Sequence, residues 1–197
     1  MPSRTLAGNP FTRYPFVSIR LSHRVQRIKP SPTLAITARA ARMKAEGKDI
    51  LGLGAGEPDF DTPAHVGEAG IAAIRGGFTR YTNVEGINEL RDAINAKFRR
   101  DNGLEYQRSQ ILVSNGAKHT IFNLCCALLD PGDEAIIPAP YWVSYPDMVL
   151  IADGTPVPVF AGANQGYKIT PAQLASAITS RTRLLILNSP CNPTGAA

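Results

Sequence analysis

The feature that most constrains the fold is the regular alternation of strand-like and helix-like segments from Ile111 onward. Short apolar runs end in turn residues, which is typical of buried strands, and the segments between them have helical spacing. Strands that alternate with helices in this way form a mainly parallel sheet with helices on both faces. We therefore predict an α/β fold with successive elements at Ile111–Ser114, Lys118–Leu129, Ala135–Pro138, Trp142–Ile151, Thr155–Phe160, Pro171–Thr179 and Arg183–Leu187.

Three helices and one strand are predicted before this alternation. The helices are expected over Leu34–Glu46, Ala64–Ile74 and Gly86–Asn102. Thr33 and Thr62 are candidate N-caps for the first two, and Gly103 should end the third. Asp49–Leu53 has the pattern of a short strand.

The basic character of the chain is confined to its start. Residues 1–45 contain nine Lys or Arg and no acid, whereas sixteen acids face twelve bases from Glu46 onward, a net charge of about −4. The charge therefore does not indicate a nucleic-acid-binding body. Residues 1–20 are predicted to be a disordered basic extension, with a transit peptide as the alternative. No apolar run reaches the ~20 residues of a membrane span, which favours a soluble protein without membrane partners.

The three cysteines do not indicate a metal site or a disulfide framework. Cys125 and Cys126 fall in an apolar run, and Cys191 stands alone near the end. We expect the first two to be reduced residues of the core. This usage fits a reducing compartment, so a cytoplasmic location is predicted and no metal ligand is assigned.

The small residues of Ser114–Lys118 stand where a predicted strand meets a predicted helix. Free backbone N–H groups and the positive end of the helix dipole favour a phosphate at such a place. The alternative is a strand-to-helix turn that binds nothing. The segment is not a P-loop, because the G-x-x-x-x-G-K-[ST] spacing is absent.

Two other segments are ambiguous when taken alone. Trp142, the single tryptophan, could stack on a flat heteroaromatic ring or could be a core or interface aromatic. The Gly52–Gly56 segment has glycines spaced as in a dinucleotide fingerprint, but prolines follow where a helix would have to begin. A bend whose main chain faces a small ligand is the better interpretation.

Six motifs in a fixed order are much more specific than any one of them. They are G-x-G-E-P-D-F-D-T-P, Y-x-x-x-x-G-x-x-E-L-R, S-N-G-A-K, D-P-G-D-E, P-Y-W-V-S-Y-P and N-S-P-x-N-P-T-G. Together they resemble the class I aminotransferases of fold type I, and among these the bacterial aspartate/prephenate subgroup. The resemblance extends from about Ser22 to the C-terminus.

The resemblance implies pyridoxal 5'-phosphate as the cofactor. Its implied contacts are Gly116, Ala117 and Lys118 to the phosphate through backbone N–H groups, Trp142 to the ring face, Asn192 to the phenolic oxygen, and Tyr81 to the phosphate of the partner subunit in a homodimer. The implied substrate contacts are the main chain of Gly56, together with Trp142, Asn192 and Lys29.

In the family, the lysine that forms the Schiff base follows the N-S-P-x-N-P-T-G segment. The same holds for the aspartate at the pyridinium nitrogen, the basic phosphate clamp and the arginine for the substrate α-carboxylate. We expect none of these within the 197 residues, so no catalytic residue is assigned and the chain alone is expected to be inactive. Lys118 belongs to the phosphate loop and Lys168 to a loop or edge, which excludes both from the Schiff-base role.

The reaction implied is amino transfer between an acidic amino acid, of the aspartate or prephenate/arogenate type, and a 2-oxo acid. A C–S lyase or an aminocyclopropane carboxylate synthase-like enzyme of the same fold, and a non-catalytic remnant, stay open as alternatives. Residues 21–60 should contribute to the small domain and the substrate site, and residues 61–197 to the first part of the cofactor-binding large domain.

Overall fold

The computed structural model describes residues 20–54, 56 and 58–197, so all but the last residue of the predicted extension lies outside them. The elements within the described residues are α1 (His23–Gln26), α2 (Pro32–Ala45), α3 (Ala64–Arg75), α4 (Asn88–Asn102), α5 (Ala117–Leu128), β1 (Glu134–Ala139), α6 (Ser144–Ile151), β2 (Thr155–Phe160), α7 (Pro171–Ala177) and β3 (Thr182–Leu185). Short 3₁₀ turns lie at Arg108–Gln110 and Ala163–Gln165. Among these helices, none has the length and apolar character needed to cross a bilayer.

The three strands form a parallel sheet in the order β2-β1-β3. β1 pairs with β2 without interruption from Glu134 opposite Thr155 to Ala139 opposite Phe160, and with β3 after a shift in register next to Glu134. α6 connects β1 to β2, and α7 connects β2 to β3. Such crossovers are required because each parallel strand must begin at the same end of the sheet. The predicted parallel α/β arrangement is therefore confirmed for these strands.

The central strand is buried on both faces. Ala135 and Ile137 pack in one cluster with Cys125 of α5 and Val149 of α6. Ile136 points to the opposite face, because side chains alternate along a strand, and it is also fully buried. Each isoleucine removed from water in this way contributes roughly 1.5–3 kcal/mol. The core thus lies around β1, beneath α5 and α6.

Two of the predicted strands are wrong. Ile111–Ser114 has no neighbouring strand among the described residues, although the Val113 N–H donates to the Glu85 carbonyl at 2.9 Å. Asp49–Leu53 is also irregular, and its leucines are almost fully exposed. An apolar run becomes a strand only when another strand accepts and donates its backbone hydrogen bonds, which a local pattern does not reveal.

Both predicted N-caps are also wrong. Ser31 caps α2, since its hydroxyl accepts from the Leu34 N–H at 3.4 Å, and Thr33 lies within the first turn. Pro63 occupies the cap position of α3, where no side-chain cap is formed, so Thr62 lies outside the helix. A helix can begin at either of two neighbouring candidates, and here the earlier one in α2 places a proline in the first turn.

The remaining boundaries lie close to the predicted ones. α4 begins at Asn88 rather than Gly86 and ends as predicted at Gly103, whose φ of 66° is left-handed. Cys125 is buried as expected, but Cys126 is exposed. Adjacent helical residues point about 100° apart, so only one of two neighbouring cysteines faces the core.

A buried carboxylate joins β1 to the turn before β3. Glu134 is only 6% exposed and accepts hydrogen bonds from the Thr179 hydroxyl at 2.6 Å and from the Arg181 guanidinium at 2.5 and 2.9 Å. The Thr179 hydroxyl, and then Arg181, hold the pKa of Glu134 below its usual range. The ionised carboxylate therefore stabilises the register of the two strands.

We expect Glu134→Gln to lower the free energy of unfolding near neutral pH and to lose this effect in acid. A carboxylate with a lowered folded pKa stabilises fully above its unfolded pKa of about 4.3, and the contribution disappears as pH falls through the lower folded value. Urea unfolding of the protein from the complete reading frame, between about pH 7 and about pH 3, measures the difference.

Glu68→Gln is the matched control, because Glu68 is exposed on α3 and makes no ion pair among the described residues. It should change the unfolding free energy little at any pH. An effect of Glu134→Gln that is equally large at both ends of the pH range would show that the carboxylate charge is not what stabilises the strands.

Candidate functional site

The N-terminus of α5 is open to solvent. Gly116 occupies the N-cap position with φ 87°, no side chain caps the helix, and a Cβ at this position would meet no atom within 4 Å. The backbone N–H groups of Ala117 and Lys118 have no hydrogen-bond partner among the described residues. Two unpaired donors at the positive end of a 12-residue helix suit the oxygens of an anion.

Trp142 lies beside this turn, although 24 residues separate it from Lys118 along the chain. The Lys118 ammonium nitrogen lies 4.7 Å from the centre of the indole ring. Tyr145 meets the same ring edge-on, with centroids 5.4 Å apart and planes at 87°. Burial raises the pKa of the Tyr145 hydroxyl. The indole is thus held in place by an aromatic contact and by a cation from the open turn.

A cavity of about 230 Å³ lies between Trp142, Lys118 and the start of α2. Its other walls are formed by residues to which the sequence analysis assigned no role in a site: Ser31, Pro32, Thr33, Leu34, Val143, Ser144 and Asp147. No local signal could have placed the first turn of α2 opposite Trp142, because more than 100 residues separate them along the chain. The predicted site residue that lies nearest to this turn along the chain is Lys29, just before it.

A second cavity, of about 250 Å³, lies beyond the carboxyl ends of β1 and β3. Tyr141, Lys168, Asn188 and Cys191 are among the residues that line it. The Cys191 Sγ is 3.3 Å from the Pro140 carbonyl oxygen, so the loops after the two strands touch. In parallel sheets this edge is where ligands bind.

The other predicted site residues are not drawn together by the described part of the chain. Asn192 is exposed, and only its backbone is engaged, donating to the Asn188 side-chain oxygen at 2.8 Å. Tyr81 is fully exposed, and Gly56 and Lys29 are exposed too. The structure therefore joins Gly116, Ala117 and Lys118 to Trp142, and leaves the others facing solvent.

The arrangement fits a ligand that has both an anionic group and a flat ring. The open α5 turn offers unpaired donors for the anion, and Trp142 offers an aromatic face close to them. Each of these two cavities is smaller than the roughly 300–1,000 Å³ of a typical enclosed ligand site. Within the same residues no group of three or more His, Cys, Asp or Glu is placed to hold a metal ion.

Comparison with known proteins gives consistent matches. The family model of aminotransferase class I and II matches residues 48–197. The aspartate/prephenate aminotransferase of Nitrosomonas europaea is 62% identical over 178 residues, which are 90% of this chain and 45% of that protein. The aspartate aminotransferase of Rhizobium meliloti superposes with a TM-score of 0.86 at 51% identity, over 89% of this chain and 44% of that one.

A second solved structure, the aspartate aminotransferase of Thermus thermophilus with maleate, has a TM-score of 0.86 at 48% identity, over 89% of this chain and 46% of that one. At these identities the shared fold is that of the fold type I aminotransferases, which confirms the predicted fold class. The chain spans about 45% of the length of the curated relatives it matches.

We expect Lys118 and Trp142 to be energetically coupled. A lysine over a half-buried indole contributes roughly 0.5–2 kcal/mol, and that gain should vanish when either partner is removed. Urea unfolding of the parent, Lys118→Met, Trp142→Leu and the double variant gives the coupling directly. The control is the same cycle with Lys168→Met in place of Lys118→Met, because Lys168 lies over no aromatic ring among the described residues. Additive effects of Lys118→Met and Trp142→Leu would exclude the contact.

Proposed function

The chain belongs to the aminotransferase class I and II family, and on that premise we propose that its protein is a pyridoxal-phosphate-dependent aminotransferase. It transfers the amino group between an acidic amino acid and a 2-oxo acid. The observation that carries the proposal is the position of Trp142 beside the open N-terminus of α5, joined to it by Lys118. Because the chain spans about 45% of its relatives, the activity is proposed for the product of the complete reading frame.

The residues of the site match the parts of this cofactor. The N–H groups of Ala117 and Lys118 bind the phosphate, where Gly116 leaves the space open. Trp142 lies against the ring face, and the exposed Asn192 amide donates to the ring oxygen. When bound, pyridoxal phosphate supplies an electron sink for negative charge at the substrate α-carbon. These residues hold and orient it, and none of them is assigned the role of the lysine that carries it.

An acidic substrate is supported by two findings. A relative with 62% identity is named an aspartate/prephenate aminotransferase, and a neighbour with 48% identity was solved with maleate, a dicarboxylate. Substrate contacts are assigned to the main chain of Gly56 and to Trp142, Asn192 and Lys29. Lys29 is exposed just before the cavity wall, where an ammonium group can attract a second carboxylate.

A homodimer and a division into domains complete the proposal. The fully exposed Tyr81 is available to reach the phosphate in the partner subunit. Residues 21–60 belong to the small domain and the substrate site, and residues 61–197 to the first part of the large domain. The three cysteines are free, which suits the cytoplasmic location that we propose.

Binding of the cofactor phosphate is tested with Gly116→Ala. Alanine is strained at a φ of 87°, so the turn must shift. The shift moves the N–H groups of Ala117 and Lys118 away from the phosphate. We expect the affinity for pyridoxal 5'-phosphate, measured by isothermal titration, to fall about tenfold, which corresponds to about 1.4 kcal/mol. The affinity for pyridoxal, which lacks the phosphate, should be unchanged.

Gly103→Ala is the matched control. Gly103 also has a left-handed φ, 66°, and open space at its Cβ position, but it ends α4 and lines neither of the two cavities. It should leave both affinities unchanged. If Gly116→Ala weakens pyridoxal as much as the phosphorylated form, the turn does not bind the phosphate.

The activity itself is tested with the product of the complete reading frame. We expect transfer of the amino group from aspartate to 2-oxoglutarate, measured as the oxaloacetate that aspartate leaves behind. Prephenate is the alternative acceptor. Release of pyruvate and ammonia from a sulfur amino acid, without transfer, would instead support a C–S lyase of the same fold. A product that binds pyridoxal phosphate but converts none of these substrates would support a non-catalytic remnant.

A further inference from the structure

The N-terminal segment, residues 20–54, is attached to the rest of the chain by very few contacts. Neither α1 nor α2 contains a buried residue. Among the described residues, the hydrogen bonds and ion pairs of this segment stay within it, apart from those made by Arg24 and Arg27. Apolar burial therefore contributes little to where the segment lies.

Both arginines bind the same carboxylate. The Arg24 guanidinium lies 3.1 Å from one oxygen of Asp153, and the Arg27 guanidinium binds the other oxygen. The Asp153 side chain is 28% exposed, less than either arginine. With φ 64°, Asp153 is in the left-handed region, which aspartate and asparagine tolerate better than most residues.

The N-terminal segment lies beside both ends of α6. Asp153 lies two residues beyond the C-terminal end of α6, and α1 lies against the helix. At the other end, Val143 and Ser144 line the cavity that faces Ser31–Leu34. An eight-residue helix is about 12 Å long, so the N-terminal segment spans the whole of α6. The intervening residues include Pro30, whose fixed φ stiffens the connection.

We propose that Asp153 is a positioning residue whose carboxylate, by binding Arg24 and Arg27, holds the Ser31–Leu34 wall of the cavity opposite Trp142. We refer to the group Arg24–Arg27–Asp153 as the clasp. The identification of the cavity with the cofactor site rests on the proposed function, but the clasp does not. It acts through α1 and the stiff connection to α2, and among the described residues it makes no hydrogen bond or ion pair with Trp142 or the α5 turn.

The test is amide hydrogen exchange in the ligand-free protein from the complete reading frame. Asp153→Asn keeps the shape and the left-handed φ but removes the charge. We expect amides of α2 to exchange about two- to five-fold faster. This is the change in the opening equilibrium that corresponds to the loss of a partly exposed ion pair. Raising the salt concentration from about 0.05 M to about 1 M should accelerate α2 exchange in the parent and not in Asp153→Asn, because screening has no ion pair to weaken there.

A second variant makes the result independent of the turn at Asp153. The double variant Arg24→Gln/Arg27→Gln should reproduce the faster exchange of α2, and adding Asp153→Asn to it should cause no further change. Asp92→Asn is the matched control. It breaks the Asp92–Arg108 ion pair of 2.5 Å beside α4 and should leave α2 unchanged.

Unchanged α2 exchange in both clasp variants would overturn the proposal. Equal acceleration in α2, α5 and β1 would also overturn it, because the carboxylate would then support overall stability and not the position of one wall. Since no cofactor is added, either result is obtained whether or not the protein proves to be an aminotransferase.

Discussion

The burial of β1 between two parallel neighbours is the constraint on which the rest of the structure depends. Ala135, Ile136 and Ile137 are all removed from solvent, which requires cover on both faces of the strand. Parallel pairing then directs the carboxyl ends of β1 and β3 to one edge of the sheet. As a result the loops after the two strands meet, as the contact between Cys191 and the Pro140 carbonyl shows.

The site is linked to this core through α5 and α6. Cys125 of α5 and Val149 of α6 belong to the same buried cluster, so the two helices pack together over β1. This packing brings the open N-terminus of α5 to Trp142, which precedes α6. The N–H groups of Ala117 and Lys118 and the aromatic face are therefore held at a fixed separation by apolar contacts that lie below them.

The N-terminal part of the described chain is organised differently. Leu51 and Leu53 are about nine-tenths exposed or more, and no residue of α1, α2 or α3 is buried. Where apolar burial is so limited, partly exposed ion pairs and stiff prolines contribute a larger share of the interactions that fix the position of the segment. The Asp153 carboxylate is placed to have that role, because it is the one polar link from residues 20–54 to the rest of the described chain.

The sequence by itself determined the parallel α/β class, the succession of β1, β2, β3 and their helices along the chain, and the turn at Gly116 as a candidate anion site. These follow from periodicity and from the local chemistry of glycine and helix ends, which neighbouring residues control. Only the tertiary structure decided that Ile111–Ser114 and Asp49–Leu53 are not strands, that Ser31 and not Thr33 caps α2, and that the first turn of α2 faces Trp142. Strand pairing and cavity walls depend on residues far apart in the chain, and their meeting is set by how apolar faces pack and not by any local pattern.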